Sequence, residues 1–168
     1  MDRTPATVNG TATEAIRVLI VDDHTLVRQG IRALLQAEPD LQVVGEGSDG
    51  YEAVRLARAL QPHVIVMDLT MPNMDGLEAT RLIKEFAPQI QVLALTMHES
   101  DEYFFRVLQA GASGYVLKRA ASTELLSAVR AVARGEAYLY PSVAKKLLSG
   151  YLRHAQTTGE GEAQKSYA

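Results

Sequence analysis

The sequence contains no cysteine, which excludes a disulfide framework and a thiolate zinc site and leaves none of the usual signs of secretion. It also lacks a dominant charge. Seventeen Lys and Arg stand against 20 Asp and Glu, a net charge of −3, so no blanket electrostatic attraction draws the chain to nucleic acid or to an anionic membrane. No apolar run is long enough to span a bilayer, and the opening stretch MDRTPATVNGTATEA has no apolar segment of the kind a signal peptide needs. Internal repeats and long runs of one charge are missing as well. The expectation is a cytoplasmic protein without membrane contact, with a disordered tail over residues 1–15.

What is present is a regular rhythm. Apolar residues make up 47% of 168, enough for one domain with a sizeable core plus tails. From Ile16 onward, short β-branched runs at 17–21, 42–46, 64–67, 91–95 and 114–117 read as five strands. Segments of helical period lie between and after them, at 24–37, 50–60, 75–86, 99–110 and 122–134. In the first, Val27, Ile31, Leu34 and Leu35 share one face. Ser48 and Asp49 are capping candidates for the second, Asp75 for the third, and Gly111 and Gly135 are placed as stops. Strands alternating with helices over short connections predict an α/β fold, a flavodoxin-like (βα)5 doubly wound parallel sheet of order 2-1-3-4-5. This unit is expected over 16–135, an extension carrying one more helix at 141–152 over 136–154, and a polar linker or tail over 155–168.

The acidic residues fall where such a sheet binds ligands, in the crevice at the carboxyl ends of the strands. The first strand ends RVLIVDD and the third ends VIVMD, so Asp22, Asp23 and Asp68 converge on one small volume. Three carboxylates together repel one another unless a hard cation neutralises them, and Mg²⁺ suits an all-oxygen site that also receives a phosphate. QVLALT and GYVLK bring the hydroxyl of Thr96 and the ammonium of Lys118 to the same edge, a hydrogen-bond donor and a point charge for a phosphoryl group. This is a phosphoryl-transfer constellation in which a carboxylate can serve as nucleophile.

The motifs IVDDH, VIVMDLTMPNMDG, LTMHE and GASGYVLKR, in this order and spacing, resemble the receiver domain of bacterial two-component response regulators. LVRQGIRALL, MDGLEATR and AYLYPSVAKKLL further resemble the NarL/FixJ (LuxR-type) subfamily. The resemblance covers about 16–152 and implies that Asp68 is the phosphoacceptor, served by a histidine kinase and Mg²⁺. It implies that Asp22, Asp23, Asp68 and the Thr70 carbonyl hold the metal, with Thr96 and Tyr115 as switch residues and Lys118 facing the phosphate. Thr70 and His98, each two residues beyond a site residue, are implied to tune phosphate lifetime. A weak homodimer through the first and fifth helices is also expected, motivated by an exposed apolar excess at Leu125, Leu126 and Val129 beside Leu34 and Leu35. The chain would be a signalling switch catalysing only its own phosphotransfer and dephosphorylation.

Departures from the family pattern are few. Arg119 stands where many receivers have proline, so a cis bond at 118–119 is not assured. Met97 is bulky where many have a small residue, which predicts slow access for small phosphodonors. The subfamily normally continues into a helix-turn-helix DNA-binding domain, whereas this chain stops at Ala168, so the expectation is a fragment or a receiver without output, with DNA reached only through a domain not present. Of the rival readings, a dehalogenase-type phosphatase would place its acidic pair after the nucleophile and a second Asp where Thr70 stands. A docking module that is not phosphorylated would be expected to have lost site residues. Direct DNA binding would have to rely on Lys145, Lys146, Arg153 and His154, too few for a basic face. His24, His63 and His98 read as scattered, without a metal cluster, and the stretch Tyr103, Phe104, Phe105, Val107 and Leu108 reads as core packing or a partner-covering face.

Overall fold

The structure is a computed structural model of the chain and describes residues 7–8, 11–12, 14–97, 101–120, 122–139, 144–145 and 148–153. A short antiparallel pair, Thr7–Val8 with Thr11–Ala12, precedes the main sheet. That sheet has five parallel strands, β1 (Ile16–Val21), β2 (Leu41–Gly47), β3 (Val64–Asp68), β4 (Gln91–Thr96) and β5 (Gly114–Leu117), in the order β2-β1-β3-β4-β5. Helices α1 (Thr25–Gln36), α2 (Gly50–Leu60), α3 (Gly76–Phe86), α4 (Asp101–Gln109) and α5 (Ser122–Ala133) alternate with the strands. Of the further helix expected at 141–152, residues 144–145 and 148–153 are described and helical.

Because side chains alternate across a strand, each central strand feeds two cores. Val18, Ile20, Val64 and Val66 pack on one face with Ile31 and Leu35 of α1 and Leu125, Ala128, Val129 and Val132 of α5. Leu19, Val21, Ile65 and Met67 pack on the other with Ala53 and Ala57 of α2 and Ala79 and Ile83 of α3. A third cluster joins Leu69 and Ala94 to Phe104 and Val107 of α4 and to Tyr115 of β5. β3, the middle strand, is buried along its whole length, as parallel strands covered on both faces should be.

This packing corrects the basis of the expected dimer. Leu35 and Val129 are fully buried, Leu125 is 7% exposed, and Leu34 and Leu126 lie partly buried against the same core. Apolar spacing shows that a helix has an apolar face but not what covers that face, and here the sheet does.

The helix ends follow local chemistry. Asp49 and Asp75 cap α2 and α3 by accepting the N–H groups of Glu52 and Glu78 at 2.9 and 2.8 Å, while Ser48 instead donates to the Glu52 carboxylate. Gly111 and Gly135 take positive φ values of 105° and 84° after α4 and α5, the left-handed stop that glycine allows. No described peptide bond is cis.

Candidate phosphoacceptor site

Strand register brings the site together. Met67 pairs with Val21, which puts Asp68 level with the β1 end where Asp22 and Asp23 follow, and Asp68 pairs with Leu95 next to Thr96. The Lys118 N–H donates to the Thr96 carbonyl at 2.8 Å, so the end of β5 delivers the lysine to the same edge. Its Nζ stands 3.1 Å from Asp68 Oδ2 and 3.2 Å from Asp22 Oδ2. Thr96, Asp22 and Asp68 are all buried. Tyr115 is buried too, its ring meeting Phe104 edge-on with centroids 4.9 Å apart.

Backbone donors fix the carboxylates. The Thr70 N–H bonds Asp68 Oδ1 at 3.2 Å, and the His24 N–H bonds Asp22 Oδ1 at 2.8 Å. Asp22 therefore orders the turn into α1 without capping that helix, whose N-cap position, His24, makes no side-chain cap. Arg28 donates to the Asp22 carbonyl at 2.6 Å, pinning the strand end from α1.

Three buried oxygens are thinly satisfied: Asp22 Oδ2 and Asp68 Oδ2 share the single Lys118 ammonium, and Asp23 Oδ1 faces His24 Nδ1 at 3.2 Å. Buried carboxylate oxygens are rarely left so, and the ligand atoms of Asp22, Asp23, His24 and Asp68 lie within 4.8 Å of one another. This oxygen-rich, under-satisfied set fits a hard divalent cation such as Mg²⁺. Burial first, and then the Asp22 charge, raise the Asp68 carboxyl from its ordinary 3.8 to about 6, against the opposing pull of Lys118. Lys118 is itself held above its usual range: burial opposes its charge, and the Asp68 and Asp22 carboxylates outweigh that penalty.

The structure thus brings Asp22, Asp23, Asp68, Thr96 and Lys118 to one edge, with Thr70 bonded to Asp68 through its N–H. His98 lies outside the described residues. His24, one of the scattered histidines by sequence, places its Nδ1 3.2 Å from both Asp22 Oδ1 and Asp23 Oδ1; its adjacency to the acidic pair is the sequence signal for this. Met97 turns outward, 74% exposed.

A sheet with its acids, lysine and threonine at the carboxyl edge defines a class of phosphate-handling α/β proteins, and comparison with known proteins resolves the class. The family model described as response regulator receiver domain matches residues 18–130. The transcriptional regulatory protein LiaR of Bacillus subtilis (strain 168) is 47% identical over 140 residues, 83% of this chain and 66% of LiaR. A LuxR-family two-component response regulator from Aurantimonas sp. SI85-9A1 superposes with a TM-score of 0.78 at 37% identity, covering 83% of this chain and 99% of that one. The isolated receiver domain of RcsB from Salmonella enterica serovar Typhimurium, solved in the presence of the phosphomimetic BeF3−, gives 0.73 at 33% identity, covering 80% and 99%. The chain belongs to the response regulator receiver domain family, within the NarL/LuxR group of two-component regulators. It spans 58–66% of the length of the first curated relatives it matches. Among the described residues no helix is long and apolar enough to cross a membrane.

Proposed function

We propose that Asp68 accepts a phosphoryl group from a histidine kinase and that the resulting charge switches the surface of this receiver for a transcriptional output. The observation carrying this reading is a buried carboxylate at the end of β3, raised to about 6, with Lys118 Nζ 3.1 Å away and the carboxylates of two other acids, Asp22 and Asp23, within 4.8 Å. A structural ion pair would need one acid for one lysine; two acids sharing one ammonium, with a third acid beside them, leave room for a further cation.

In the reaction an Asp68 oxygen attacks phosphorus in line, an O–P bond forms, the N–P bond of phosphohistidine breaks, and the imidazole leaves with the bonding electrons. Asp22, Asp23, Asp68 and the Thr70 carbonyl would hold Mg²⁺, which when bound offsets the negative charge that gathers on the phosphoryl oxygens. Lys118 adds a fixed positive charge at the same place. Thr96 is the hydroxyl that responds to the new phosphate, Tyr115 the aromatic coupled to it, and Thr70 and His98 the positions that set phosphate lifetime. Leu26 and Met97, which lie close in sequence to Asp23 and Thr96, are 82% and 74% exposed, apolar surface that a docking protein donor would cover. The LiaR relative is described as a transcriptional regulator, and the reading extends that role to this chain through an output domain, with cytoplasmic location and changes in self-association or domain contacts as the result of phosphorylation.

The test is intact-protein mass spectrometry after incubation with Mg²⁺ and acetyl phosphate or a phosphorylated kinase. One added phosphoryl group, lost in Asp68→Asn and with chelator, is expected. Addition that persists in Asp68→Asn would overturn the assignment.

A further inference from the structure

The loop from β3 to α3 carries Thr70, whose N–H holds Asp68 Oδ1, and something must fix that loop. Its apolar residues are anchored inward: Leu69 and Met71 are buried, at 1% and 9% exposure, and Met74 packs against the α2/α3 core. Gly76 closes its far end, donating its N–H to the Leu69 carbonyl at 3.0 Å. Pro72 and Asn73 in its middle are exposed, and from Asn73 and Met74 two hydrogen bonds join the loop to the N-terminus of α2. Asn73 Nδ2 donates to Asp49 Oδ2 at 3.0 Å, and the Gly50 N–H donates to the Met74 carbonyl at 2.8 Å. Asn73 sits at φ 67°, a left-handed conformation that asparagine and aspartate tolerate better than most residues. A Cβ at residue 50 would lie 2.5 Å from the Met74 carbonyl oxygen and 2.6 Å from its Cγ, so glycine is what allows the approach. Asp49 divides its oxygens: Oδ1 caps α2 through the Glu52 N–H and Oδ2 takes Asn73. The Glu52 N–H and the Asn73 amide hold its carboxyl below the usual range.

We propose that the Asp49–Asn73 hydrogen bond is a clasp that sets the loop carrying Thr70, and through it the orientation of Asp68 and the affinity of the acidic site for Mg²⁺. Asp49 and Asn73 are positioning residues; neither touches the site acids. The inference rests on the receiver reading and adds to it a long-range control from α2, through the loop and the Thr70 N–H, to the phosphoacceptor.

The swapped pair makes the clasp testable. Asn73→Asp places two carboxylates face to face, whereas the double variant Asp49→Asn/Asn73→Asp reverses donor and acceptor, keeps an N-cap of equal quality, and tolerates the left-handed backbone. Mg²⁺ binding by calorimetry on the 168-residue chain is the readout, with phosphorylation of Asp68 by acetyl phosphate measured alongside. Loss of one such hydrogen bond should weaken Mg²⁺ binding roughly three- to tenfold in Asn73→Asp, and the swapped double variant should return to within about twofold of wild type by the same reasoning. Weakening in Asn73→Asp that the swap does not rescue, or affinities unchanged in both variants, would overturn the clasp while the wild type still binds Mg²⁺ and takes phosphate at Asp68. A wild type that does neither would overturn the receiver reading together with the clasp.

Discussion

Replacing Asp68 with asparagine should stabilise the metal-free protein at neutral pH while abolishing its chemistry. In the folded protein the carboxyl titrates at about 6 instead of 3.8 because burial and Asp22 penalise its charge. A folded value above the unfolded one means that the folded state holds its proton longer. The associated stability is complete at pH below 3.8 and is lost as pH rises through about 6. The difference between 3.8 and about 6, at about 1.36 kcal/mol per pH unit, bounds the loss at about 3 kcal/mol. Asparagine has the same shape and no charge, and Lys118 keeps its contact with Asp22 at 3.2 Å. In chelator, Asp68→Asn should therefore match wild type near pH 4 and exceed it by up to about 3 kcal/mol above pH 7, roughly 6–12 °C in Tm for a chain of this size. Thermal unfolding by circular dichroism across pH 4–8 measures the gap. A gap that does not widen with pH, or an asparagine variant less stable than wild type at pH 8, would refute the burial and repulsion argument.

Mg²⁺ should raise the Tm of the wild type, by the equivalent of about 2.7 kcal/mol at a hundredfold excess over Kd, and the rise should shrink sharply in Asp22→Asn; differential scanning fluorimetry reads both. Lys118→Met removes the charge that pulls the Asp68 carboxyl downward, so the carboxyl should titrate above 6 by NMR and phosphorylation at pH 7 should slow at least tenfold, measured by intact mass over time. Gly76→Ala should cost more than about 2 kcal/mol in urea unfolding and suppress phosphorylation, because a Cβ there would overlap the Asp68 carbonyl oxygen and lie 2.9 Å from the Asp68 carbonyl carbon and the Leu69 Cα, all backbone atoms that cannot rotate aside.

Most of the sheet was legible because its strands are short β-branched runs set between segments of helical period. The run at 64–67 differs from β3 only in that Asp68 itself pairs in the strand, and the segment at 50–60 coincides with α2. The acids, Thr96 and Lys118 were legible because strand ends in a parallel sheet share one edge. What escaped depends on side-chain direction and on contacts distant in sequence. His24 reaches both neighbouring acids by the turn of its own ring, and the Asp49–Asn73 bond spans 24 positions. The end of α2 was legible in position, since the predicted segment stops at 60, but the left-handed cap at Gln61, φ 47°, carries no glycine to announce its conformation. Apolar residues on α1 and α5 declared an apolar face, yet only packing shows that Leu35 and Val129 turn it toward the sheet.

The central claim is that Asp68 is the acceptor, and its most direct test traps the phosphorylated residue chemically. After phosphorylation, borohydride reduction of the acyl phosphate converts the modified aspartate to homoserine, which peptide mass spectrometry locates. Homoserine at position 68, absent without Mg²⁺, is the expected result. Homoserine at Asp22 or Asp23, or a phosphorylated chain with no reduced aspartate at all, would contradict the account.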